Sequence, residues 1–210
     1  MAGFLDLLRV QRWDDHRYYH HSLINQSLHL LSAISFLCAY VMMFADPALA
    51  ALIGWLVAMT SRQIGHFFFE PRDYDVINQA TDAYKEAIKV GYNIRRKIVL
   101  MAIWGPSPVI LIVDPTLLGM AESPKTWMEF AQRLGYVWLA VGIGGLVFRT
   151  VQLFLTKDYL TGLAWSTKIV TDPFHDIKLY YRAPLQLARG GLFATALMQK
   201  NQHEAAESRQ

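Results

Sequence analysis

Cysteine is almost missing from this 210-residue sequence: Cys38 stands alone. No disulfide framework can form within the chain, and its polar segments need no oxidising compartment. Charge is scarce as well, 18% against about 25% in an ordinary soluble domain. Hydrophobic residues reach 53%, with a mean hydropathy of +0.20. This excess is gathered into runs, which points away from a soluble domain and toward membrane spans. The sequence is basic, with a net charge of +3 and a pI near 9.0. Yet no run interleaves Lys and Arg with aromatics on one face, as a nucleic-acid surface would, so no nucleic acid is expected as a partner. The apolar opening, Phe4 to Leu8, is too short for a cleavable signal peptide and runs into Arg9, Arg12, Asp14 and Asp15. Phe4, Leu5, Leu7, Leu8 and Trp13 instead suit a short helix lying on the bilayer surface. No internal repeat is found.

Four apolar stretches read as transmembrane helices, about 28–45, 48–60 or a little beyond, 98–118 and 134–155. Spanning takes about 20 apolar residues, so the first two are slightly short. Asp46-Pro47 makes a tight turn between them and sets them antiparallel. Gly105-Pro106-Ser107-Pro108 predicts a kink or break in the third, because proline removes a backbone donor. Gly142, Gly144 and Gly145 predict close helix packing in the fourth. The expected fold class is all-α, an integral membrane bundle of about four transmembrane helices with cytoplasmic interfacial helices. The expected organisation is one catalytic domain over 1–199 and a disordered tail over 200–210, which holds His203.

Basic residues set the topology. Segments 1–27, 61–97 and 156–210 hold three, seven and seven Lys+Arg, whereas the loops 46–47 and 114–133 hold none and two. The positive-inside rule places both termini and the central segment on the cytoplasmic side. The central segment, 74–97, is helix-permissive, with Ala80, Ala83, Tyr84, Ala87, Ile88 and Gly91 spaced for one packing face. In the last segment Asp172-Pro173 reads as a helix start, Asp capping and Pro in the first helical position.

Four of the seven histidines, His20, His21, His29 and His66, fall in two short runs at the mouths of apolar segments on that one side. An imidazole leaving water without a partner loses hydrogen bonds, and polar groups at such positions are functional candidates. Neutral imidazoles with a carboxylate suit a divalent transition metal. In one continuous helix His20 and His29, nine residues apart at about 100° each, would lie on opposite faces. Ser22 resolves this as an N-cap for a helix beginning at Leu23: His20 then sits on the entering chain, while Asn25 and His29 share a face. His21, about 12 Å along a continuous helix from His29, is less favoured and stays open between ligand, neighbour of a ligand and surface. His66 and Glu70 are i, i+4, with Gly65 allowing close approach and Gln63 one turn back. Glu70 could ligate directly or hold an imidazole as acceptor. His175 is open between a structural role and ligation, and His16 is expected at the surface. Arg149, near the cytoplasmic end of the fourth span, either snorkels or pairs with a fatty-acid carboxylate.

The combination of Tyr19-His20, Asn25 and His29 with Gln63, Gly65, His66 and Glu70 beyond a helical hairpin resembles the membrane family of 2-hydroxy fatty acid dioxygenases, the fungal phytosphingosine-degradation alpha-oxidation enzymes and their bacterial relatives. The direct match covers roughly 19–70, and the hydrophobic layout carries it to about 155. Ser22-Leu23 and the residues after Glu70 depart from the family pattern. The resemblance implies an Fe(2+)-dependent enzyme that uses molecular oxygen to shorten a 2-hydroxy fatty acid by one carbon. It implies His20, His29 and His66 as iron ligands, surrounded by Asn25, Gln63 and Glu70; His175 is added here as a further candidate ligand and Arg149 as a substrate-binding residue. Two other functions compete with it. One is a non-catalytic metal- or lipid-binding membrane protein. The other is a membrane lipid hydroxylase, although the chain has no HxxHH box and few histidines.

Overall fold

The computed structural model describes residues 3–70, 74–75, 78–91 and 93–193. The segment expected to be a disordered tail, 200–210, lies outside them. The elements are α1 (Phe4–Tyr19), α2 (Leu23–Met42), α3 (Pro47–Phe68), α4 (Asp82–Ile88), α5 (Ile94–Trp104), α6 (Ser107–Val113), α7 (Trp127–Thr156), α8 (Tyr159–Tyr180) and α9 (Ala183–Ala188). Among the described residues there is no strand, only two isolated bridges, Ser22 with Phe193 and Asp75 with Ala80. Leu23–Met42, Pro47–Phe68, Arg95–Val113 and Trp127–Thr156 are each long and apolar enough to cross a bilayer. The chain is thus an all-α membrane protein.

Local chemistry sets the first hairpin. Ser22 caps α2 by accepting from the Ile24 amide at 3.2 Å. Asp46 caps α3 by accepting from the Leu49 amide at 3.0 Å, with Pro47 in the first turn. Inside α3 the helix widens over Gly54–Met59 into a π-helical turn. The hydroxyls of Thr60 and Ser61 donate to the carbonyls of Trp55 and Val57 at 2.9 and 2.7 Å. Such a wide turn re-phases the rest of its helix and recurs at functional sites; here it precedes Arg62, Gln63 and His66.

α3 packs on α2 and α7, α5 and α6 lie on α7, and α8 returns along α2 with α1 against it. The expected break in the third span falls between Trp104 and Ser107. Ser107 repairs it: its hydroxyl donates to the Trp104 carbonyl at 2.5 Å and accepts from Trp138 Nε1 at 2.7 Å. Trp55 stacks on Trp104 with centroids 5.4 Å apart, and its Nε1 donates to the Trp138 carbonyl at 2.8 Å. These indoles form the apolar core with Ala51, Leu111 and Leu134.

Three expectations are corrected. Close packing in α7 occurs at Gly135, where a Cβ would stand 2.4 Å from the Ala48 carbonyl oxygen, while a Cβ on Gly144 would meet nothing within 4 Å. Gly142 has Trp55 at 3.6 Å, an ordinary contact. Pro173 starts no helix but lies inside α8, whose N-cap is Asp158; Asp172 bonds Lys168 at 2.6 Å instead of capping. At α4 the expected face is split: Ala80 is buried with Ile88 packed beside it, while Ala83, Tyr84 and Ala87 are exposed. Lys85 is fully buried there, and its carbonyl accepts from the Tyr19 hydroxyl at 2.8 Å.

Candidate metal centre

α1 stops at Tyr19, and His20 takes a non-helical conformation (φ −113°, ψ 46°) before Ser22 starts α2. Two side chains of α2 reach back to fix this reversal. Asn25 Nδ2 donates to the Tyr19 carbonyl and Gln26 Nε2 to the His20 carbonyl, both at 2.8 Å. His20 is thereby folded over His29, with ring centroids 4.0 Å apart. His66 on α3 completes the group at 4.8 Å from His29 and 5.8 Å from His20. One ring nitrogen from each lies within 4.8 Å of the others. Ligands of a tetrahedral ion at about 2.1 Å stand about 3.4 Å apart, so modest side-chain closure brings them to bonding distance.

Two of the three outer nitrogens are held. His20 Nδ1 meets the Tyr180 hydroxyl at 2.7 Å, and His66 Nδ1 bonds Glu70 Oε1. His29 Nδ1 faces Asp176 Oδ2 at 3.8 Å, beyond hydrogen-bond distance, and has no hydrogen-bond partner among the described residues. His20 Nε2 and His29 Nε2 are buried and have no hydrogen-bond partner among the described residues. Orphaned buried nitrogens are expensive, and a bound cation would satisfy them, so the donor set fits a divalent transition metal. Burial, reinforced by the neighbouring His29, holds His20 well below its ordinary pKa and keeps it neutral, as a ligand must be.

Gly65 permits the convergence. A Cβ there would lie 2.2 Å from Asn25 Oδ1 and 3.4 Å from His29 Cδ2. A small cavity of about 30 Å³ adjoins the three rings, bordered also by Tyr180, His16 and His175, with room for little beyond an ion and a small ligand. Around it runs a ring of ion pairs. Arg62 bonds Asp176, Arg12 lies 3.4 Å from Asp172, and Lys168 stands 2.5 and 2.6 Å from Asp15 and Asp172. Burial pulls the Lys168 pKa down, but the two carboxylates outweigh it and raise it above its ordinary value.

Residues nominated from sequence fall into two sets. His20, His29, His66, Asn25 and Glu70 come together. Glu70 reaches the group through His66, past the end of α3. Gln63 borders a second, larger cavity of about 390 Å³ running between α2, α3 and α7, and its Oε1 is buried without a hydrogen-bond partner among the described residues. His66 borders both cavities. His175 stands outside the three-ring group and only lines the small cavity, half-buried near Arg12 and Asp172. Arg149 borders neither cavity, because its guanidinium is drawn to the Val90 carbonyl at 2.5 Å and Gln152 Oε1 at 2.6 Å. His21 turns to the Arg17 carbonyl and lies 3.8 Å from Asp75.

His16, expected at the surface, instead accepts or donates at the Tyr180 hydroxyl at 2.9 Å. Tyr180 and Asp176 escaped the sequence reading because they lie well over a hundred residues from the rings they touch. Arg62 and Lys97 stood at the ends of apolar runs, where a charge is an ordinary boundary feature and gave no separate signal. No family model, curated protein or solved structure matches the chain.

Proposed function

We propose that the chain is an iron(II)-dependent membrane dioxygenase that oxidises 2-hydroxy fatty acids and shortens them by one carbon. One observation carries this reading: His66 belongs at once to a buried three-imidazole group and to the lining of a larger, mostly apolar cavity. A metal and an acyl chain would meet there. The large cavity's volume falls within the range of small-molecule sites, about 300–1,000 Å³. Phe36, Met43, Trp55, Trp138, Leu139 and Leu146 give it walls for a hydrocarbon chain.

His20, His29 and His66 would hold the ion, and iron fits the redox reaction while imidazole donors accept it readily. Bound iron would supply the electron transfer to dioxygen. The chain's own residues position the reactants. Glu70 and Tyr180 orient His66 and His20, which tunes ligand basicity. Gln63 Oε1 accepts from the substrate's 2-hydroxyl. The overall change is RCH(OH)COOH + O₂ → RCOOH + CO₂ + H₂O. The bond between the carboxyl and alpha carbons breaks, the alpha carbon rises to a carboxyl and the old carboxyl leaves as carbon dioxide. Those steps release the four electrons that reduce dioxygen, so no external reductant is needed. Basic residues gather at this end of the bundle, which supports a centre at the cytoplasmic leaflet.

Purified protein should contain iron and consume oxygen with 2-hydroxypalmitate, yielding pentadecanoate. His29→Ala and His66→Ala should lose both metal and uptake. Bound zinc, or no uptake with any hydroxy acid, would instead favour a non-catalytic metal-binding role.

A further inference from the structure

Four cation–anion sets near the two cavities are internally balanced: Arg62 with Asp176, Lys168 with Asp15, Arg12 with Asp172, and Arg17 with Asp14. Lys89 and Lys97 are not. Their ammonium groups stand 3.7 and 3.9 Å from the same oxygen of Glu70, and that oxygen is already engaged by His66 Nδ1. Two buried lysines therefore share one carboxylate, so with both protonated one positive charge is in excess among the described residues. Both lysine side chains are only 7% exposed. Lys89 Nζ makes no hydrogen bond among the described residues and stands 3.4 Å above the Tyr19 ring. A buried ammonium with donors unfilled is costly. Both lysines border the large cavity at the end where His66 and Gln63 lie.

We propose that Lys89 and Lys97 form the seat for the anionic head of a single-chain lipid, whose tail extends along the cavity past Trp55 and Trp138. The excess of one charge matches a monoanion, so the head is a carboxylate rather than a phosphate monoester, which carries nearly two charges. The seat takes the anchoring role that sequence assigned to Arg149. It also decides specificity. A tail moving from bilayer to cavity gains little, because both surroundings are apolar, so discrimination falls to the head. The proposal rests on the dioxygenase reading for the fate of the bound acid, and the binding itself needs no metal.

The test uses metal-free, full-length protein in non-ionic detergent and follows tryptophan fluorescence. The quencher is 9,10-dibromostearic acid, with the matching dibromo alcohol and dibromostearyl phosphate as comparisons. The acid should quench saturably, be displaced by palmitate, and bind at least about tenfold more tightly than the alcohol. Lys89→Gln combined with Lys97→Met should erase that tenfold advantage and leave alcohol binding unchanged, which also shows that the variant is folded. Lys89→Arg with Lys97→Arg should restore a preference for the acid. Equal binding of acid and alcohol by the native protein, or an undiminished preference in the neutral double variant, overturns the proposal. Tighter binding of the phosphate overturns the carboxylate assignment. His29→Ala separates the two readings: it should keep the acid preference while losing metal and oxygen uptake. If the native protein prefers the acid but takes up no oxygen, the seat stands and the dioxygenase fails.

Discussion

Gly65→Ala tests whether the approach of α3 to α2 assembles the imidazole group. The added Cβ would lie 2.2 Å from Asn25 Oδ1 and 3.3 Å from its Cγ. Non-bonded heavy atoms prefer about 3.5 Å or more, so about 1 Å must open. If the Asn25 side chain swings away, its bond to the Tyr19 carbonyl is lost. The resulting unpaired group costs about 1–3 kcal/mol. If α3 backs off instead, overpacking costs a similar 1–3 kcal/mol and His66 withdraws from His29. Alanine's better helix propensity offsets about 1 kcal/mol of either. Net destabilisation is therefore only about 0–2 kcal/mol, whereas metal affinity should fall about 10–100-fold, as when a ligand's support is disturbed. Anaerobic Co(II) titration in detergent, read from the cobalt absorption bands, measures the affinity, and thermal unfolding measures the stability. Asn25→Ala removes the clashing oxygen, so in the double variant the two effects should be non-additive by at least about 1 kcal/mol. Wild-type cobalt affinity in Gly65→Ala would refute the argument.

Tyr180→Phe removes the hydroxyl bridging His16 and His20; cobalt affinity should drop about tenfold with circular dichroism unchanged, and an unaltered affinity would assign Tyr180 to packing alone. Lys168→Met takes the ammonium from Asp15 and leaves Asp172 to Arg12 alone, so unfolding should come about 1–3 kcal/mol sooner, less than for a fully buried pair because Asp15 is partly exposed, measured by denaturant or heat, and a neutral result would show the pair to be solvated. Acid should destabilise the metal-free protein through His20. Its folded pKa lies below the ordinary 6.5, so below that pH the unfolded chain binds more protons. Stability is full above about pH 6.5 and falls by up to about 1.4 kcal/mol per pH unit below it. Thermal midpoints at pH 7.5, 6.5 and 5.5 should decline, less steeply in His20→Ala, and a flat or rising series would contradict the burial argument.

What the sequence disclosed was local. Ser22 as a cap, Asp46-Pro47 as a turn and the Pro106 break depend on residues within a few positions of one another, and each is where expected. The grouping of His20, His29 and His66 was legible for the same reason. A cap between the first two reverses the chain, and a tight hairpin returns the third to the same end. The bond of Arg149 to the Val90 carbonyl was not legible, because that partner belongs to a segment 59 residues away. Pro173 was misjudged because a dipeptide that can start a helix also tolerates the interior of one when neighbours hold Asp172. Glycine spacing in α7 marked a face without telling which glycine would meet a backbone, and the tertiary fold chose Gly135.

On the proposed reading, the fourth span is poorly placed to supply the anchoring cation. α7 shows most of its surface outward, with only 17% of its apolar window buried, against 39% and 44% in α2 and α3. The imidazoles sit where α2 and α3 meet, so on that reading a substrate head is held by residues within reach of the seam. Lys97 opens the third span and Lys89 lies just before it, and their shared partner Glu70 comes directly after α3. The carboxylate that steadies His66 is thus the one that leaves a lysine unneutralised. On the proposed reading, head-group recognition and imidazole orientation then depend on a single side chain. Glu70→Gln should accordingly disturb both, lowering cobalt affinity and changing the acid-over-alcohol preference in one variant. A Glu70→Gln protein altered in only one of the two would separate the functions that the geometry joins.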